Sequence, residues 1–113
     1  MRGVNKQILV GNLGSDPELK QLANGRKVCN VSLATNEQWT GPSGESIEHT
    51  EWHNLVFWGG LADIISQYGK SGNPIYVEAT LRTRKYSGEG GEERSIRESH
   101  VKEITLLGDN KVA

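Results

Sequence analysis

Glu48-His-Thr-Glu-Trp-His-Asn-Leu-Val-Phe-Trp58, followed by Leu61-Ala-Asp-Ile-Ile-Ser-Gln-Tyr68, is the stretch whose reading decides the fold. Residues Glu48 to Trp58 form an extended run. Alternation puts His53, Leu55 and Phe57 on one face and Trp52, Asn54, Val56 and Trp58 on the other. Across Gly59 and Gly60 the period changes. Leu61, Ile64, Ile65 and Tyr68 recur at helical spacing and Gly69 supplies a stop, so this is the one convincing helix. Downstream, Ile75, Val77, Ala79 and Leu81 alternate cleanly, leaving Tyr76, Glu78, Thr80, Arg82, Arg84 and Tyr86 outward. Ser87-Gly-Glu-Gly-Gly-Glu-Glu93 reads as a polar hairpin tip, and a last strand runs from about Arg94 to Leu107.

Upstream, Lys6 to Gly14 is a first strand that breaks at its glycines. Asp16-Pro17 marks a turn, Asn24-Gly25 is a hairpin signal, and Val28 to Gln38 is the second strand. Thr40-Gly-Pro-Ser-Gly44 is a loop. Three strands, one helix and two strands is the order of the OB-fold. The expected class is therefore all-β: a five-stranded Greek-key barrel with one α-helix between strands three and four. No repeat or composition break divides the chain, so residues 1–113 are read as one domain.

Composition narrows the function. The chain is 35% hydrophobic and 24% charged, with a mean hydropathy of -0.57, so no membrane-spanning helix is expected. The N-terminal ten residues lack a signal peptide's apolar stretch and cleavage site, and Cys29 has no partner for an internal disulfide. Both point to a reducing cytoplasm. Net charge is -1, which makes the distribution of charge decisive.

Of seven aromatics, Trp39, Trp52, Trp58 and Tyr86 sit where a barrel would not bury them. Trp39 lies at the mouth of the glycine-rich loop and Tyr86 just before the hairpin tip. Trp52 and Trp58 share a face, roughly 20 Å apart along the strand. One exposed tryptophan is ordinary, but four such rings suit stacking on unpaired bases, worth roughly 1–3 kcal/mol per base. Arg82, Arg84 and Lys85 concentrate cations beside Tyr86, and Arg2 belongs to a basic N-terminal segment. These four are candidate phosphate contacts. The acidic residues collect in loops and the last strand, so a neutral total conceals a basic track.

Catalysis finds no support. His49, His53 and His100 match no metal-ligand spacing, so neither a metal nor any other cofactor is expected. Cys29 reads as a small buried strand residue and Asp63 as a solvated one. There is no P-loop, and the glycines of Val10-Gly-Asn-Leu-Gly14 do not fit a dinucleotide fingerprint.

Gly3-Val-Asn-Lys-Gln-Ile-Leu-Val-Gly-Asn-Leu-Gly14 with Asp16-Pro17, Leu33-Ala-Thr35 running on to Trp39, Thr50-Glu-Trp-His53 and Leu81-Arg-Thr-Arg-Lys85 occur in that order. Together they resemble the bacterial single-stranded DNA-binding protein family over essentially the whole chain. The resemblance implies a homotetramer of OB folds around which single-stranded DNA wraps during replication, recombination and repair, in the cytoplasm at the nucleoid. It places base stacking on Trp39, Trp52, Trp58 and Tyr86. The best-known members resemble phenylalanine at 58 and tryptophan at 86. It also places Lys6, His53, Tyr76 and Glu78 between subunits. Family members usually continue into a glycine-, proline- and glutamine-rich linker with an acidic tip, whereas this chain stops at Asp109-Asn-Lys-Val-Ala113. Recruitment of replication and repair proteins is implied only for a chain that carries that tail.

Two other OB readings compete. A protein-binding relative, such as a primosome component, would not need four exposed rings beside Arg82, Arg84 and Lys85. A secreted carbohydrate binder would need a signal peptide and usually a disulfide.

Overall fold

The computed structural model describes residues 1–108, so the chain end at which the family pattern breaks off, residues 109–113, lies outside the described residues. Its strands are β1 (Gln7–Leu13), β2 (Glu18–Gln21), β3 (Lys27–Thr40), β4 (Ser46–Trp58), β5 (Pro74–Ser87) and β6 (Glu93–Leu106). Helix α1 (Gly60–Tyr68) lies between β4 and β5, and a 3-10 turn (Glu89–Gly91) occupies the β5–β6 tip.

The strand order is β1-β5-β6-β4-β3-β2, with β1 also paired to β3. Strands β1, β5, β6, β4 and β3 therefore close on themselves as the five-stranded OB barrel. The short β2 lies outside that ring, where the sequence suggested only a turn. It is the first arm of the Asn24-Gly25 hairpin and pairs Glu18–Gln21 against Lys27–Asn30 of β3.

Closure depends on β1 changing partners. It pairs with β5 from Gln7 to Asn12, then with β3 at Asn12↔Ala34 and Leu13↔Leu33. At the crossing a Cβ on Gly11 would strike the Ala34 carbonyl oxygen, so only glycine lets the two backbones approach. On the far side a short parallel seam, Leu55↔Ser99 and Val56↔His100, joins β4 to β6.

Leu33, Leu55, Phe57, Ile75, Val77 and Cys29 are fully buried inside the barrel. Burial also pushes the Cys29 thiol up, which leaves it unreactive. A bulge opposite Glu78/Ala79 matches Val77 to Ile104 and Ala79 to Val101, which leaves Lys102 as the extra residue in β6. Val101 and Ile104, three apart, can both face the core only because of it.

Helix α1 adds Ala62 and Ile65 to that core. Ile64 and Tyr68, read in the sequence as part of its apolar face, are exposed instead. Nine residues laid across a barrel touch it along a narrow stripe only. Asp63 keeps a solvated carboxylate, as expected, and it also pairs with Lys27, whose Nζ lies 3.2 Å from its Oδ1. Beyond the barrel the β3–β4 and β5–β6 hairpins run on as paired arms, to Thr40↔Ser46 and Ser87↔Glu93. The glycine-rich loop is a tight reversal, with the Gly41 N–H donating to the Glu45 carbonyl at 2.8 Å.

Candidate nucleic-acid interface

Residues paired across strands point to the same side of a sheet. On β3 and β4 the outward pairs are Val28↔Trp58, Asn30↔Val56, Ser32↔Asn54 and Ala34↔Trp52. The parallel seam adds His100 beside Val56. On β6 and β5 the outward pairs are His100↔Thr80, Glu98↔Arg82, Ile96↔Arg84 and Arg94↔Tyr86. Trp52, Trp58, Arg82, Arg84 and Tyr86 thus share one outer surface. Two hollows run along it, about 590 Å³ beside Trp58, Arg82 and Arg84 and about 380 Å³ beside Asn54 and Ser15. They adjoin through Asn30, Arg84 and Glu98, which line both.

The four rings are not equivalent. Trp52 is 58% exposed, and its ring edge lies against the bare backbone of Gly14, where a Cβ would come within 2.6 Å of Cζ3. Tyr86 is exposed, with the Arg84 guanidinium 5.9 Å from its ring centroid. Trp39 is exposed but pairs with Ile47, on the pleat side of Leu33 and His53 and opposite to Trp52. Trp58, expected to stand free, is half-buried. Its Nε1–H donates to His100 Nδ1 at 3.1 Å, and the Arg26 guanidinium covers its ring at 4.3 Å.

The cations differ as well. Arg82 and Lys85 are exposed and form no ion pair among the described residues. Arg84 is tied to Glu98, Nη2 to Oε2 at 3.2 Å, and His100 Nε2 approaches the other oxygen of that carboxylate at 3.3 Å. Burial raises the Glu98 carboxyl, but Arg84 and then His100 outweigh it, holding the group below the usual carboxylate range. Glu98 in turn raises Arg84. Arg2 is exposed, three residues ahead of Asn5, whose side chain pins the N-terminal segment to the Leu81 backbone.

Of the residues that the resemblance placed between subunits, three meet. Lys6 Nζ lies 2.9 Å from Glu78 Oε1, and the Tyr76 hydroxyl donates to Glu78 Oε2 at 2.6 Å. Both donors hold the Glu78 carboxyl below its usual range, Tyr76 most and then Lys6. Ile8 and Val10, opposite Glu78 and Tyr76 in register, add two exposed apolar side chains to the same patch. His53 lies elsewhere, its Nε2 3.0 Å from Thr35 Oγ1. Among the described residues no group of three or more His, Cys, Asp or Glu side chains could hold a metal.

Sequence reasoning missed Gly14, Arg26, Glu98 and His100 as parts of this surface. The alternation of Ile96, Glu98 and His100 was a usable signal, but which strand they would flank was not.

The Single-strand binding protein family model matches residues 4–107. Two relatives, each described as a single-stranded DNA-binding protein, come from Neisseria meningitidis serogroups A and B. Both are 44% identical over 105 residues, 93% of this chain and 60% of the relative. The chain therefore spans 60% of the length of these curated relatives. Among solved structures, a Plasmodium falciparum SSB in complex with single-stranded DNA superposes with a TM-score of 0.88 at 32% identity. That match covers 96% of this chain and 98% of the other. A family match over nearly the full length, on the barrel that the sequence order anticipated, leaves one assignment: the chain belongs to the single-strand binding protein family.

Proposed function

We propose that this chain binds and protects single-stranded DNA without sequence preference and without catalysis. The observation that carries the reading is the shared outer surface on which Trp52, Trp58 and Tyr86 lie beside Arg82 and Arg84. Ring faces take any base, and guanidinium groups take phosphate oxygens, so neither reads sequence. Trp39 and Lys85, farther out on the two arms, extend the path of the strand, and Arg2 supplies a phosphate contact from the N-terminal segment. The paired state of Arg84 makes Glu98 a competitor that phosphate must displace.

The protein would act during replication, recombination and repair, in the cytoplasm at the nucleoid, as a homotetramer assembled through Lys6, Tyr76 and Glu78 with His53. Replication and repair proteins would join it through an acidic tail if the full-length protein carries one. The exposed Ile8 and Val10 support the assembly, since they extend the ion-paired patch with apolar surface. Titration of tryptophan emission with poly(dT) and with duplex DNA tests the function. Strong quenching by poly(dT) and little by duplex is expected, and equal responses would overturn it.

A further inference from the structure

Trp58 and His100 form one unit. The indole N–H lies in the plane of its own ring, and it points at His100 Nδ1 from 3.1 Å. The two ring planes are 16° apart and their centroids 6.4 Å apart. A hydrogen bond between ring edges with nearly parallel planes sets the imidazole beside the indole, extending it, rather than on top of it. Because Nδ1 accepts that hydrogen bond it carries no proton, so the neutral ring holds its proton on Nε2, which faces Glu98 Oε1 at 3.3 Å. The ring is thus fixed at both nitrogens.

Both rings line the 590 Å³ hollow, with Val28, Val56 and Leu22 as its apolar lining and Arg82 and Arg84 also bordering it. Arg26 lies over Trp58, and together they line a separate hollow with Gly59 and Asp63. The indole is therefore a partition between two spaces, and its tilt decides whether the larger one can receive a flat ring. A side chain ending β4 has two free torsions, and an indole held only by van der Waals contact could fold over that hollow.

We propose that His100 is a positioning residue for DNA binding: by accepting the Trp58 indole N–H it holds the indole as a flat wall against which one base stacks. The proposal rests on the single-stranded DNA reading above.

The test is a double-substitution cycle read with a short oligo(dT). His100→Val removes the acceptor, and His100→Asn keeps one at the same distance from the backbone. Affinity should fall about three- to tenfold in His100→Val, the range of one hydrogen bond, and stay within about twofold of the parent in His100→Asn. In a Trp58→Phe background, where no N–H exists to be held, His100→Val should cost nothing further. Unchanged affinity in His100→Val, or an equal loss in both backgrounds, would overturn the proposal. A parent-protein measurement stands beside the cycle in case His100→Val does not fold. The Trp58 indole proton should exchange with solvent more slowly than those of Trp39 and Trp52, for which no hydrogen-bond acceptor occurs among the described residues. Equal exchange would overturn the proposal as well. If the parent binds no oligo(dT) at all while the Trp58 indole proton is protected, the function itself fails, and that result is distinct from a failed cycle.

Discussion

Trp52 brings its ring edge close to the backbone just past β1 because position 14 has no side chain to hold it off. Gly14→Ala should lift the ring, changing Trp52 emission and weakening poly(dT) binding, with little loss of stability. Stopped quenching titrations of the variant and parent would show it, and identical curves would mean the ring tolerates the methyl. Stacking and charge leave different traces at two other residues. Trp58→Ala should weaken binding by roughly 1–3 kcal/mol with the salt dependence almost unchanged. Arg84→Ala should lower the slope of log affinity against log salt by about 0.7. Glu98→Gln should act in the opposite sense and tighten binding, since it releases Arg84 from its carboxylate. Titrations at several salt concentrations separate the three.

Lys6, just ahead of β1, and Tyr76 and Glu78 on β5 form one patch, and its pH behaviour belongs to these elements. The folded Glu78 carboxyl titrates below its ordinary value of 4.5. The unfolded chain therefore binds more protons in the acid range, and stability falls as pH drops through that window. Denaturant midpoints measured from neutral pH down through the acid range should fall as pH drops below about 4.5. Glu78→Gln should flatten that part of the profile; an unchanged slope would show that the pair contributes nothing. The β3–β4 and β5–β6 arms make a second prediction at this scale. Trp39 and Tyr86 stand at their ends, so oligo(dT) should protect residues 41–45 and 88–92 from proteolysis. Equal cleavage with and without DNA would detach both rings from binding.

Barrel closure is a property of the whole molecule, and it passes through one contact. Gly11→Ala drives a methyl into the Ala34 carbonyl, and an overpacked site of this kind costs about 1–3 kcal/mol or more. Thermal unfolding would report it as a lowered Tm, and a variant as stable as the parent would show that the β1 crossing can relax. Assembly is the other whole-molecule question. Light scattering should give a tetramer, and Ile8→Lys should shift it toward smaller species without unfolding the barrel. A parent protein that is monomeric at micromolar concentration would remove the assembly proposal. Closed point-group symmetry is the expected arrangement for such a homo-oligomer.

Several features were fully legible in residue order. Leu55 and Phe57 alternate into the core, Asn24-Gly25 turns a hairpin, and the period changes after Trp58 to mark the helix. The rings and cations of the surface were legible too, because type and spacing along one strand are local facts. What lay beyond reach depended on partners distant in the chain. The β4–β6 seam sets His100 beside Trp58, forty-two residues away, and the β5–β6 register sets Glu98 where it leaves Arg84 paired instead of free. The bulge that leaves Lys102 unmatched decides that Val101 and Ile104 both face inward, which no two-residue period could anticipate. Trp39 falls on the opposite pleat side from Trp52 because its parity in β3 is tied to the parity of β4. Sequence by itself determined which segments alternate, where they break and which chemical groups they carry, since those follow from neighbours a few residues apart. Tertiary structure alone decided which strands lie side by side and in what register, because the packing of one closed core selects among pairings that are locally equivalent.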